Sequence, residues 1–266
     1  RRTGYMNDTA LLSAYTRYFT WWNLVRLTRV FANLSSSSFS LSDSSVCIDM
    51  GSGPLTAVIA LWLARPELRA KKLTFYCVDI SQSALSLGED LYLSVAARAP
   101  AQNTASDTDT MHWNIIRVKG ALGTSIKQKA DLLLCANMFN ELCQNSSMPP
   151  EYTAKRDAEA LCAYLSDTGS ICVIEPGIPK TARFVSLLRG FFLQKKMSVL
   201  SPCPHETDCP MNGFHAKMGG TAKWCNFAFT TEDAPAALKK LSADSDLPKE
   251  RAVLSFVFAT KTVHPI

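Results

Sequence analysis

Two apolar runs in this chain end in an acid, and the first acid is followed at once by a glycine turn. The runs are Cys47-Ile48-Asp49-Met50-Gly51-Ser52-Gly53-Pro54-Leu55 and Phe75-Tyr76-Cys77-Val78-Asp79-Ile80-Ser81. Glycine is needed where the backbone turns tightly or comes close to a ligand. The helix start that follows offers N–H groups with no partner inside the helix. In open α/β sheets, ligands bind beyond the carboxyl ends of the strands, and an acid there can hold the two hydroxyls of a ribose. A dinucleotide fold would want Gly-x-Gly-x-x-Gly, but the position three after Gly53 is Thr56, so that fingerprint fails. A tight strand–helix turn with no ligand would use the same two glycines.

Two later strand ends carry polar groups. Asn137 follows the run Asp131–Cys135, with Asn140 and Glu141 close behind, and Glu175 follows Ser170–Ile174. An Asn amide can orient an amine or a base edge, and the same residues can equally cap a helix start. The third cluster is Ser201-Pro202-Cys203-Pro204-His205-Glu206-Thr207-Asp208-Cys209-Pro210, followed by His215 and Trp224-Cys225. Three thiols and two imidazoles in an irregular, weakly apolar stretch suit a metal or cluster that supplies the missing stability. The spacings are not the paired C-x-x-C of ordinary zinc modules, and an iron–sulfur cluster normally takes four ligands where only three cysteines are local. Three thiols in a packed loop fit the spacing as well.

These residues need elements to carry them. Residues 5–34 read as an amphipathic helix, with an RNA-stacking element as the alternative. A Ser-rich loop over 35–45 follows. Short apolar runs then alternate with helical stretches near 54–65, 82–98, 150–165, 180–194 and 234–242, and Arg251–Thr260 closes the chain as a last strand. This rhythm predicts an α/β fold with a mostly parallel sheet covered by helices on both faces. The expected division is 1–45 as a helical segment with linker and 46–266 as the main domain, with 201–228 as an inserted loop.

The 266 residues are 47% hydrophobic and 19% charged, which excludes disorder as the main state. No apolar run approaches the ~20 residues of a membrane span. The net charge of +5 permits an RNA partner without requiring one. Nine cysteines, an odd number set mostly in apolar runs, point to a reducing compartment. The chain opens on Arg1-Arg2-Thr3 and reads as a fragment, so any targeting leader would lie outside it.

The acid–glycine–acid layout resembles class I S-adenosylmethionine (SAM)-dependent methyltransferases, whose Rossmann-like fold carries a seven-stranded sheet. More specifically, the chain resembles the Rsm family of methyltransferase-like proteins of the small ribosomal subunit. The segments that carry this are Tyr5 to Arg29; Asp49-Met50-Gly51-Ser52-Gly53-Pro54-Leu55-Thr56 with Ala60-Leu61-Trp62; Phe139-Asn140-Glu141-Leu142; Val173-Ile174-Glu175-Pro176-Gly177-Ile178-Pro179; and Cys203-Pro204-His205 to Cys209-Pro210 with Trp224-Cys225. Leu55 stands where many methyltransferases have a third glycine, and its presence is characteristic of this family.

The resemblance implies SAM binding through Asp49, Gly51, Ser52, Gly53, Pro54, Asp79, Ile80, Ser81 and Asn137. It implies substrate positioning by Asn137, Asn140 and Glu141. It also implies a 4Fe-4S cluster, or zinc in its place, on Cys203, Cys209 and Cys225, with His205 or His215 as an extra ligand. The implied role is in small-subunit assembly and translation, through ribosomal RNA and protein partners. The protein would be a monomer off the ribosome and would touch no membrane. Either it acts as a SAM-binding scaffold, or it methylates ribosomal RNA, or it is an iron–sulfur-dependent checkpoint. Candidate phosphate contacts are Arg65, Arg69, Lys71, Lys72, Lys180, Arg183, Arg189, Lys195 and Lys196. The compartment expected is bacterial-type cytoplasm, with the mitochondrial matrix as the alternative.

Overall fold

Strands that are apolar along their whole length must be covered on both faces, and the short runs of this chain obey that rule. The computed structural model describes residues 4–99, 112–142, 148–213 and 223–262. In chain order the elements are α1 (Thr9–Tyr15), α2 (Trp21–Asn33), β1 (Val46–Met50), α3 (Thr56–Ala64), β2 (Thr74–Asp79), α4 (Gln82–Arg98) and β3 (Asn114–Lys119). Then come β4 (Ala130–Ala136), α5 (Phe139–Leu142), α6 (Pro150–Tyr164), β5 (Leu165–Pro176), α7 (Pro179–Gln194), β6 (Ser198–Ser201), β7 (Phe227–Thr230), α8 (Ala236–Asp244) and β8 (Arg251–Thr260). The fold is α/β and Rossmann-like, with mostly parallel strands, as expected. Eight strands are described rather than seven; β7 is the one not anticipated.

The chain forms two compact units. One holds Arg1–Ala121 and Phe229–Ala252, the other Leu122–Ala228 and Val253–Ile266. In the first, β2 lies between β1 and β3 and is parallel to both, with Met50 opposite Val78 and Val78 opposite Val118. The strands therefore finish level, and their carboxyl ends form one edge. Helix α3 is buried from Thr56 through Trp62, because α2 covers it. Trp62, Tyr92 and Trp113 pack edge-on and stacked beneath. The predicted N-terminal helix is present but interrupted: a π turn over Thr16–Thr20 separates α1 from α2. Much of its apolar face packs within the chain, while Phe19 and Trp21 stay exposed. Trp22 packs against Ala234 and Leu238, and its indole N–H donates to Ser242 Oγ at 2.8 Å. The Ser-rich segment is irregular apart from one turn, and Phe39 anchors it by burial under the Arg65 guanidinium.

In the second unit β4 and β5 are parallel, with Cys135 opposite Val173. Strand β8 runs antiparallel to β5, with Cys172 opposite Phe258, and β6 runs antiparallel to β8. Helices α6 and α7 pack on each other. No helix among the described residues is long and apolar enough to cross a membrane.

Candidate functional site

The first unit builds its edge from a turn that three residues make possible by taking positive φ. Gly51 has φ +70°, Gly53 +50° and Leu55 +55°. The first two are conformations that glycine adopts without penalty. Leu55 adopts the left-handed form at a cost. It offsets that cost by burying its side chain completely, against Gly88 of α4. The position where a third glycine is common is thus filled by a residue that keeps the glycine backbone and adds a hydrophobic plug.

The donors of this turn are already spent. The N–H groups of Gly51 and Ser52 both donate to Val78 O, at 2.9 and 3.0 Å, and that of Leu55 to Ser52 O at 2.9 Å. Gly53 N–H donates to Asp79 Oδ2 at 2.9 Å. What the turn itself offers a ligand is close approach and two carboxylates. Asp79 also accepts the Ser81 N–H on Oδ1 at 2.8 Å, so each of its oxygens holds one backbone donor and keeps a lone pair. Burial pushes its pKa up, while those N–H groups pull it down. Ile80 beside it is exposed.

Asp49 is almost wholly buried. Ser52 Oγ donates to its Oδ2 at 2.5 Å, and its Oδ1 has no hydrogen-bond partner among the described residues. Burial raises its pKa to about 7, the Ser52 hydrogen bond opposes that rise, and the Asp79 charge adds to it. A buried acceptor without a donor is costly in a folded protein. Here it faces a turn built for close approach, so the residues fit a ligand that brings a donor or a positive charge to Asp49 and hydroxyls to Asp79.

The second unit has an edge of its own. Asn137 takes φ +59°, a conformation Asn tolerates better than most residues, and its N–H donates to Ile174 O at 2.8 Å. Glu175 is fully buried. Its carboxylate accepts Phe139 N–H on one oxygen at 2.8 Å and Asn140 N–H on the other at 2.9 Å. The cap of α5 is therefore Glu175, which leaves Asn137, Asn140 and Glu141 half-buried on a fixed segment.

The cysteine loop is held by a residue that the sequence suggested for another purpose. Arg189 projects from α7 and is nearly buried. Its guanidinium donates to Thr207 O at 3.0 Å, to Cys203 O at 3.4 Å and to His205 O. Thr207 Oγ1 lies 2.8 Å from His205 Nδ1. The far side is tied by Cys225 N–H to Met211 O at 2.9 Å and by Ser255 Oγ donating to Cys225 O at 2.7 Å. Burial raises the Cys225 thiol pKa, and the Cys209 and Cys203 charges raise it further, so the three thiols lie within electrostatic reach of one another. Even so, no group of three or more His, Cys, Asp or Glu side chains among the described residues is placed to hold a metal ion. Hydrogen bonds supply the order that a cluster or zinc was expected to supply, and neither finds support in this donor set. His215 lies outside the described residues.

Several of the expected phosphate contacts have partners within the chain. Arg189 holds the loop, Arg65 donates to Leu34 O, Arg69 donates to Trp62 O at 2.8 Å, Arg183 pairs with Glu151 and Lys195 lies 3.7 Å from Glu159. Lys72, Lys180, Lys195 and Lys196 are exposed and Lys71 is half-buried. Of the six cysteines outside that loop, Cys47, Cys77, Cys135 and Cys172 are buried and Cys162 is half-buried; Cys143 lies outside the described residues.

A parallel α/β fold with an acid, a glycine turn and a second strand-end acid is the layout expected of a class I methyltransferase-like protein. Residues 14–264 match the family described as mitochondrial small ribosomal subunit Rsm22. The chain belongs to that family. No curated protein matches it. Among solved structures it is similar to a precorrin-6y C5,15-methyltransferase from Geobacter metallireducens, at 13% identity and TM-score 0.46, over 88% of each chain. It is also similar to a SAM-dependent methyltransferase from Aquifex aeolicus, at 11% identity and TM-score 0.43, over 97% of this chain and 95% of the other. The plantazolicin methyltransferase BpumL, solved with SAH, shows 12% identity and TM-score 0.43 over 97% and 93%. Nothing further follows from likenesses this distant.

Proposed function

We propose that this protein binds SAM along the carboxyl edge of β1 and β2 and serves the small ribosomal subunit as a methyltransferase-like RNA-binding protein in the mitochondrial matrix. The observation that carries the SAM reading is the pair of carboxylates at the glycine turn. Asp79 is held by Gly53 and Ser81 with lone pairs to spare, and Asp49 is buried with one oxygen unpaired. In this reading Asp79 takes the two ribose hydroxyls, Ile80 and Ser81 line that side, and Gly51, Ser52, Gly53 and Pro54 admit the methionine part beside Asp49. SAM would supply an electrophilic methyl group. Residues 46–266 would be the SAM-binding domain, with 1–45 as its helical N-terminal segment, and the protein would be monomeric off the ribosome.

The test is calorimetric titration with SAM. Asp79→Ala removes two hydrogen bonds to a charged group and should weaken binding at least about 100-fold. Wild-type protein that takes up no SAM, or Asp79→Ala protein that binds as well as wild type, would sink the reading.

The family's printed description supports the ribosomal and mitochondrial parts, and the exposed side chains of Lys72, Lys180, Lys195 and Lys196 support contact with RNA. Binding to small-subunit RNA should weaken at least about tenfold between 50 and 200 mM salt, as counterion release demands. Charge reversal at both Lys195 and Lys196 should flatten that slope by about one to two. Binding that ignores salt would exclude phosphate contacts.

A second reading, methyl transfer to RNA, is favoured by the capped segment after β4. Displacement at a sulfonium needs chiefly alignment, and Glu175 fixes the backbone that carries Asn137, Asn140 and Glu141. These three would orient the target base. Labelled SAM offered with naked RNA and with immature subunits decides it. Absence of label on both rejects methylation and leaves the binding role standing.

A further inference from the structure

The chain ahead of α1 reaches the same edge as the glycine turn. Gly4, at φ +86°, opens a 3-10 turn over Tyr5–Asn7. Asp8 closes it by accepting the N–H groups of Ala10 and Leu11 at 2.9 and 3.0 Å. Two contacts hold the turn on this edge, and the Tyr5 ring also packs on Tyr15 of α1, with centroids 5.9 Å apart. Ser81 Oγ donates to the Met6 carbonyl at 3.0 Å while accepting Ala84 N–H at 3.2 Å, so one buried hydroxyl both caps α4 and holds the turn. The Met6 thioether lies over Gly53: a Cβ on that glycine would stand 3.8 Å from Met6 Sδ and 3.9 Å from Cε. Tyr5–Asn7 thus spans the end of β2 and the glycine turn, the two places proposed above for the two ends of SAM. A thioether and an occupied carbonyl bring neither charge nor donor to a ligand. They cover the edge without recruiting anything to it. One neutral hydrogen bond and one methionine contact are also weak enough to open and reclose.

We propose that Tyr5–Asn7 is a gate on the SAM site: SAM enters and leaves only when Met6 lifts from Gly53 and Ser81 releases the Met6 carbonyl. This rests on the SAM reading of the edge. A gate slows entry and exit alike, whereas a simple ligand contact slows exit alone. Stopped-flow binding of SAM to the full chain separates the two. Met6→Ala should raise both the association and the dissociation rate about 5–10-fold and leave Kd within about threefold. Met6→Leu, which keeps the volume, should retain the wild-type rates. Unchanged rates in Met6→Ala, or a faster dissociation with unchanged association, would overturn the gate. A wild-type chain that binds no SAM would instead overturn the proposed function. If Met6→Ala does not fold, relaxation dispersion of the isotope-labelled Met6 methyl in the wild type takes its place. That methyl lies over Gly53 and changes surroundings when the turn lifts, so its exchange reports the opening rate. An opening rate that matches the ceiling of SAM association at high SAM supports the gate; SAM association faster than opening overturns it.

Discussion

Asp49→Asn is expected to make the protein more stable, and the gain should grow as pH rises. Burial lifts the Asp49 pKa from its ordinary value of 3.8 to about 7. A raised carboxyl pKa means that the folded state binds the proton more tightly than the unfolded state. The favourable contribution is therefore complete below about pH 4 and is lost as pH climbs to 7. At one factor of ten per 1.36 kcal/mol, the full loss is about 4 kcal/mol as an upper bound. Roughly 2–3 kcal/mol of it falls between pH 5 and pH 8. Asn carries no charge to desolvate and can still accept from Ser52. Melting temperatures of the two proteins should thus diverge by about 5–10 °C more at pH 8 than at pH 5. An equal difference at both pH values would show that Asp49 is not a strained carboxylate. The same variant should lose SAM affinity, because it gives up the buried charge that the site holds ready.

Gly88→Ala should do the opposite. In an ordinary helix the change gains about 1 kcal/mol. Here the new Cβ would stand 2.5 Å from Pro54 C, 2.6 Å from Leu55 Cδ1 and 2.8 Å from Leu55 N. Two of those atoms are backbone and cannot turn aside. Overpacking of this kind costs about 1–3 kcal/mol or more, so the variant should be less stable in urea by about 2 kcal/mol despite its better helix former. The atoms forced to move belong to the glycine turn, so SAM affinity should fall with stability. A variant as stable as wild type, with unchanged binding, would mean that α4 does not set the shape of that turn.

How much of this was legible from residue order depended on range. The helix over 82–98 and the strand Arg251–Thr260 have the predicted bounds. The strands are apolar runs bounded by polar chemistry, and Ser81 is a local cap signal. The short strand Phe227–Thr230 was missed because it is four residues long with no buried face. The two acids and the glycines declared themselves, since their chemistry lies in adjacent residues. Gly88 did not. It looks like a weak spot in a helix until Pro54 and Leu55 are seen lying on it. Arg189 was misread for a related reason. It shares a face with Val185, Leu188 and Phe192, and a cation on an apolar face is a cation with an internal task. That periodicity was available, but the carbonyls it serves lie in a loop with no periodicity at all. Met6 had no local signal, because its importance lies in contacts with Gly53 and Ser81, 47 and 75 positions away.

The pairing of Trp22 with Ser242 across 220 residues has a consequence for how the chain is made. The indole leaves the ribosome 220 residues ahead of the hydroxyl it pairs with. At roughly 5–20 residues per second, the interval is on the order of 10–40 s. Throughout that time α2 can settle on α3 but keeps an open apolar side where Ala234 and Leu238 will later dock. The packing of α2 is thus completed only once α8 has been made.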